Sequence, residues 1–336
     1  MQPATVELDS LEALREHIAE GEHPALLRGA ARQWAAVNAA GSGDETLMEY
    51  LRARDTGEPV YAILGRPEIH GSFGFQRDAR SVNYAARQSP LSDVLARFPE
   101  AAQGNFAIAV QAAPVRQVFR DWDVENPCLW LPESVPPTMW VSMASCVAPH
   151  SDVHDNVAVV VAGSRRFTLY APEEIDNLYL GPLLSSPGGV PTSSVDIREP
   201  DLERHPRYAD AAARAMRVTL NPGDALYIPA LWWHAVESLE TFNVLVNYWF
   251  GDSEENALSM PDTLAHAILA ISAMPRAKRQ RWHTYFEHLV FRLGEDPADH
   301  LPRDLDDLLT KTNPEQTAGL LRRIAVGLHS DEPSER

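Results

Sequence analysis

From Thr138 to Phe250 the chain is a series of short apolar runs broken by turn signals, and this texture leaves few folds open to it. The runs are Met139–Val147, Val157–Val161, Arg165–Tyr170, Arg217–Leu220, Ala225–Ile228, Ala235–Ser238 and Asn243–Phe250. Each is of strand length, and the spacing between turns is that of a β-sandwich or small barrel. Gly163-Ser164 and Pro222-Gly223-Asp224 supply the tight connections. Six of the eight tryptophans lie between residues 122 and 249, as a large packed core requires.

The flanks read differently. Leu11, Leu14 and Ile18 recur at helical spacing behind Ser10, a suitable N-cap, so a helix is expected within residues 8–21. A strand over Pro24–Arg28 follows, then a helix-prone stretch around Trp34 and Leu47–Leu51. Val60–Leu64 and Phe106–Gln111 read as strands, and Asn83–Phe98 between them as a helix stopped by Pro99. Beyond Gly251 the apolar residues fall into helical stripes: Leu264, Ile268 and Ile271; Trp282, Phe286, Leu289 and Leu293; Leu320, Leu321, Ile324 and Leu328. The expected organisation is an N-terminal elaboration over 1–137 and a β core over 138–251. A helical region over 252–329, expected to pack on the barrel or on a second copy, and a disordered tail over 330–336 complete it.

Composition narrows the class. At 336 residues, 45% hydrophobic and 23% charged, the chain is ordinary globular material. Asp and Glu outnumber Lys and Arg by 47 to 29, a net charge of −18, which argues against non-specific DNA binding and against anionic membranes. Two cysteines, Cys128 and Cys146, cannot make a disulfide framework or a four-cysteine zinc site and read as small core residues. The N-terminus has no apolar leader segment, and no stretch approaches the roughly 20 apolar residues of a membrane span, so a cytoplasmic protein is expected.

The chemistry-bearing pattern is His150-Ser151-Asp152. In an extended strand residues i and i+2 face the same way, so an imidazole and a carboxylate would enter the barrel together. Alone the tripeptide is cheap: His329-Ser330-Asp331 repeats it in the tail. His234 stands between the Ala225–Ile228 strand and the next one, beside Trp232 and Trp233, and by itself it could be a core histidine. Taken with His150 and Asp152 it completes two histidines and a carboxylate, the set that holds iron(II) and leaves coordination positions open. His154 would share that face if the strand stayed regular. A loop is expected there, with Asp155 and Asn156 turning the chain and His154 at the substrate side or the surface.

Several motifs resemble one family: His150-x-Asp152, Asn156, the stretch Gly163–Pro172, Pro222–Pro229, Trp232-Trp233-His234 and Asn243–Trp249. In this order and spacing they are similar to the JmjC-type, cupin-like iron(II)/2-oxoglutarate oxygenases, the asparaginyl-hydroxylase-like branch and its bacterial relatives above all. The resemblance covers residues 24–250, beginning at Pro24–Gly29 and Trp34. It implies a double-stranded β-helix (jelly-roll) core with helical additions, iron(II) on His150, Asp152 and His234, and 2-oxoglutarate and O₂ as cosubstrates. At the family's cation for the distal carboxylate of 2-oxoglutarate this chain has Arg165, which can pair with a carboxylate bidentately. Strand alternation sends Arg166 to the opposite face. Asn156, Asn247 and Gln111 match polar positions near the metal and cosubstrate. Where the asparaginyl hydroxylases place a tyrosine and a threonine hydroxyl, this chain aligns Ala109 and Val147, with Ser145 or Tyr227 as candidates to compensate.

The resulting expectation is oxidative decarboxylation of 2-oxoglutarate coupled to oxidation of a C–H bond in a peptide or small-molecule substrate. The same ligands could instead hold zinc for a hydrolase or isomerase, or the fold could be a binding module without turnover. The acidic surface favours a neutral or basic peptide over RNA. The Gly- and aromatic-rich stretch 65–80, with Arg66, His70, Phe73, Phe75 and Arg77, is a candidate cover for the barrel mouth, and the C-terminal helices suggest a homodimer.

Overall fold

The computed structural model describes residues 6–76, 80–251, 259–294, 296–310 and 313–329. Among the described residues fourteen strands carry the fold: β1 (Val6–Leu8), β2 (Ala25–Leu27), β3 (Pro59–Gly65), β4 (Ser72–Phe73), β5 (Tyr84–Pro90), β6 (Ala107–Pro114), β7 (Pro137–Ser142), β8 (Ser145–Ser151), β9 (Asp155–Ala162), β10 (Arg165–Tyr170), β11 (Met216–Leu220), β12 (Ala225–Ile228), β13 (Trp233–Ser238) and β14 (Asn243–Phe250). The larger sheet has the order β1-β2-β12-β9-β14-β7-β6-β3-β5 and the smaller one β11-β10-β13-β8-β4.

The two sheets close on each other because both carry an apolar inner face. Leu26, Val160, Leu226, Ile228 and Leu245 of the larger sheet share one buried cluster with Phe167, Leu169, Val218, Leu220 and Val236 of the smaller. Alternation along each strand sends the intervening residues outward. On the larger sheet these (Val157, Val159, Val161, Val244, Val246) are buried again, under helices Leu11–Glu20, Ala35–Gly41 and Asp44–Arg54 with Trp34 and Trp122. Double burial is why Val157–Val161 is an unbroken β-branched run rather than an alternating one. The outer face of the smaller sheet is covered in part by the segment between β10 and β11, where Tyr170 and Trp233 pack on Leu178, Val195 and Tyr208. At the β9–β10 turn Gly163 has φ +70, and a Cβ there would stand 2.3 Å from the Asn243 Oδ1. That turn sets the register in which Arg165, not Arg166, shares the face of Phe167 and Leu169.

Four expectations change on the structure. Residues 84–90 form the edge strand β5, paired along its whole length with β3, and only Leu91–Leu95 and Phe98–Gly104 are helical. Ladder bonds to a waiting partner outweigh the helix propensity of Ala85, Ala86, Arg87 and Gln88, and Pro90 bars a helix through that point. Met139–Val147 is not one strand but β7 and β8, in different sheets, with Met143 and Ala144 at the corner. Asp155 and Asn156 do not turn the chain: they open β9, and the turn is Asp152–His154. The 65–80 stretch contributes β4, which pairs in parallel with β8 through Ser72 and Phe73, so this part extends the smaller sheet. Arg77 and the 330–336 tail lie outside the described residues.

The chain divides into two compact units, Met1–Asn256 and Ala257–Arg336. The second holds helices Met260–Ile271, Arg276–Phe286 and Pro314–His329. A single π-helical turn, Glu287–Phe291, extends the middle helix and ends at Arg292 in the left-handed region, so Leu293 falls off the stripe expected from its spacing. No residue of the first two helices is buried. Among the described residues no helix is long and apolar enough to cross a membrane.

Candidate metal centre

His150 and His234 are directly opposite one another on β8 and β13, which places both imidazoles on the inner face of the smaller sheet. The ring centroids are 4.2 Å apart. Asp152 follows the end of β8, and its Oδ2 lies 3.7 Å from His234 Nε2. One ligand atom from each of the three falls within 4.8 Å of the others, close enough to share a single ion. A β-bulge between His150 and Val147, where Pro149 offers no N–H, lets the strand re-aim before the ligand pair.

The imidazoles are oriented by the backbone. His150 Nδ1 is 2.9 Å from the Ala148 carbonyl oxygen, and His234 Nδ1 is 3.1 Å from that of Trp232. A carbonyl only accepts, so each Nδ1 carries the proton and each Nε2 presents a lone pair to the centre. Burial, reinforced by the neighbouring His150, holds the His234 pKa well below its usual range, which keeps that lone pair available at neutral pH. The Asp152 Oδ2 accepts from Trp249 Nε1 at 3.0 Å. The loop carrying Asp152 is tied to the loop before β13: Leu231 N donates to the Asp152 carbonyl at 2.7 Å, and Ala230 N and the Tyr227 hydroxyl both donate to Asp155 Oδ1. Two ligand loops distant in sequence are thereby locked in one geometry.

Below the centre the inner wall is polar. Asn247 Nδ2 donates to Asn156 Oδ1 at 3.2 Å, and Trp140 Nε1 donates to Asn247 Oδ1 at 2.8 Å. Both asparagines therefore serve a side-chain network rather than capping backbone groups. Arg165 lies 5% exposed at the start of β10, facing inward. Its nearest partner is the Trp140 carbonyl at 3.5 Å, a marginal contact, and its Nε has none. No described carboxylate pairs with it. Burial pushes its pKa down to about 9, the mark of a charge held without compensation. Arg166, next in the chain, points outward to Glu237 at 3.3 Å.

Other candidate residues fall elsewhere. Gln111 is half-buried in a bulge of β6 beside left-handed Ala112, separated from Asn247 by the intervening strand β7. Tyr227 faces away from the centre, in the cluster beneath the N-terminal helices, with its hydroxyl on Asp155, so it supplies nothing to the cosubstrate side. His154 is half-buried in the turn beside the ligands. Cys146 is buried on the outer face, its thiol pushed up to about 12 by desolvation, while Cys128 is half-buried. Sequence reasoning missed the roles of Trp249 and Trp140. Alternation counted from Asn247 could have revealed Trp249, two residues on along β14, whereas Trp140 lies on β7, whose pairing with β14 only the structure shows.

A family model described as the cupin-like domain matches residues 10–256, most of the chain. The chain belongs to the cupin-like, JmjC-type family. Among curated proteins it is similar to the bovine (Bos taurus) HSPB1-associated protein 1, 30% identical over 39% of this chain and 27% of that protein. It resembles the zebrafish (Danio rerio) tRNA wybutosine-synthesizing protein 5, 33% identical over 51% of this chain and 44% of that one. It is also similar to the Arabidopsis thaliana lysine-specific demethylase JMJ31, 34% identical over 33% of this chain and 20% of the relative. The chain thus spans less than half the length of each of these relatives. The site has what a metal centre of this kind demands: two imidazoles and a carboxylate that converge within 4.8 Å, each steadied by a hydrogen bond.

Proposed function

We propose that the protein is an iron(II)- and 2-oxoglutarate-dependent oxygenase that hydroxylates a peptide side chain or a small molecule. One observation supports this over a hydrolytic metal site: a buried guanidinium without an anion stands in the same barrel interior as the His150, Asp152 and His234 group. A lone buried charge costs several kcal/mol, so a fold that keeps one expects an anionic ligand. Hydrolysis by a metal-bound water has no use for it. The donor set suits iron(II), and with 2-oxoglutarate and O₂ that metal supplies the oxidising chemistry.

The protein's own residues do the rest. His150 and His234 present Nε2 and Asp152 an oxygen. Trp249 holds the Asp152 carboxylate in place, Arg165 pairs with the distal carboxylate of the keto acid, and Asn156 and Asn247 offer amide groups along its length. Leu169, Val236, Ile228 and Leu245 keep bulk water from the interior. Anaerobic addition of iron(II) and 2-oxoglutarate is expected to give a weak visible charge-transfer band, and admission of air to release succinate. A folded, metal-loaded protein that does neither would falsify the assignment.

Self-association belongs to the same proposal. Helices Met260–Ile271 and Arg276–Phe286 expose Leu264, Leu269, Trp282 and Tyr285, an apolar surface suited to a second copy of the chain. Light scattering across a concentration series should show a dimer, and a concentration-independent monomer mass would refute it.

A further inference from the structure

The far end of the larger sheet is open. β5 is its last strand, paired with β3 along all of Tyr84–Pro90, and no described strand pairs with its other edge. Natural sheet edges are blunted by brevity, bulges, lysines or proline. This one is seven residues long, runs in register without a bulge, and is exposed from Ala85 to Gln88, with its proline only at the last position. An edge left so open is a template for another chain. Beside it, helix Phe98–Gly104 covers the outer face of the sheet only in part and leaves a cleft of about 540 Å³. Cross-strand pairing sets Ala62 beside Arg87 and Leu64 beside Ala85, so these four side chains share the face that floors the cleft. Leu64 and Phe106 line it at 46% and 40% exposure, large apolar groups without cover.

Charge sets the cleft apart from the rest of the surface. Arg87 and Arg97 line it against one carboxylate, Glu100, in a chain of net charge −18. Neither arginine has an ion pair among the described residues. We propose that β5 and this cleft receive an extended segment of a partner protein, added as a strand to the free edge, with an acidic and an apolar residue two positions apart. Strand geometry gives that spacing. A strand laid against β5 turns alternate side chains to the outer face. One stands opposite Ala85, whose methyl leaves room for a large apolar group to reach Leu64 and Phe106. The next on that face stands opposite Arg87, where a carboxylate pairs with the guanidinium. Backbone bonds to the edge hold the segment, and the two side chains select it. A fatty acid would fill the cleft but make no use of the backbone edge. A second copy pairing through its own β5 would bring no acid, since Tyr84–Pro90 contains none. No residue of the metal centre lines the cleft, so the inference is independent of the oxygenase reading.

Panning the full chain against a random peptide library displayed on phage tests this. Enriched peptides should carry Asp or Glu two positions from Leu, Ile, Val or Phe, with no proline between them. Synthetic copies titrated by fluorescence anisotropy should bind Arg87→Glu roughly tenfold and Arg97→Glu about threefold more weakly than the parent. With the acid of the peptide replaced by Lys the order should reverse, Arg87→Glu binding it more tightly than the parent does. Ala85→Trp, which fills the cleft from an exposed position, should abolish binding of both peptides, and thermal melts confirm that each variant is folded. No enrichment, enrichment of sequences without an acid, or selected peptides that ignore the Arg87→Glu change would overturn the proposal. Decanoate bound by the parent and not by Ala85→Trp, with no peptide enriched, would assign the cleft to a fatty acid and overturn it too. A dimer that Ala85→Trp dissociates would assign the edge to a second copy, with the same consequence.

Discussion

The two faces of the smaller sheet are built from the same strands and carry opposite solutions to the problem of charge. On the outer face Arg166 meets Glu237 at 3.3 Å, with Arg198 also near that glutamate and solvent close by. On the inner face Arg165 is sealed from solvent and left without a counter-charge. One step along a strand turns an unremarkable surface ion pair into an unmatched buried charge. The difference teaches where to look for ligands: a surface arginine explains itself through its neighbours, whereas a buried unpaired one implies a group that the chain does not provide.

The sharpest way to break this comparison is at the metal end of the inner face. His234→Ala or Asp152→Ala should lower iron(II) affinity at least about a hundredfold by equilibrium titration, because losing a ligand costs more than losing a residue behind one, which typically costs roughly 10–100-fold. Retained stoichiometric binding would mean that the three side chains do not share an ion. The paired arginines come next. Arg165→Met should weaken 2-oxoglutarate by roughly two orders of magnitude, yet leave the metal-free protein as stable or more stable by about 1–4 kcal/mol, because an uncompensated charge is removed. Arg166→Ala should cost less than about 1 kcal/mol in denaturant unfolding and leave ligand affinity alone. If the two substitutions behaved alike, the inner and outer faces would not differ as described.

A smaller effect is expected at the residue that steadies the carboxylate. Trp249→Phe keeps the ring and loses the N–H on Asp152, so metal affinity should fall by about tenfold. The smallest concerns pH. The folded-state pKa of His234 is depressed, so the unfolded chain takes up its proton first as pH falls. Stability from this group is complete above the unfolded imidazole pKa of ~6.5 and declines below it by at most about 1.4 kcal/mol per pH unit. Metal-free melts from pH 7.5 to 5.5 should show this slope, and His234→Gln should flatten it.

Much of the fold was legible because alternation and turn chemistry are local. The runs Ala225–Ile228 and Asn243–Phe250 are strands with those bounds, and Ser10 caps the first helix as its spacing implied. The strand at Tyr84–Pro90 was not legible, since an edge strand there exists only through its pairing with β3. The same limit applied to the site. His150, Asp152 and His234 announced themselves by residue type and position, whereas Trp140 did not, because tryptophans packed on a core are common and nothing in the string of letters sets Trp140 beside Asn247.

By itself, then, the order of amino acids determined the strand periods, the turns, the candidate ligands and which of two adjacent arginines shares a face with the core, since each depends on residues a few positions apart. Only the closing of two sheets decided that two imidazoles eighty-four positions apart stand with ring centroids 4.2 Å from each other, and that the Trp249 N–H reaches the carboxylate of Asp152 from another strand. Register between distant strands is set by the packing of the whole inner face, where a slip of one residue would turn every one of these groups outward.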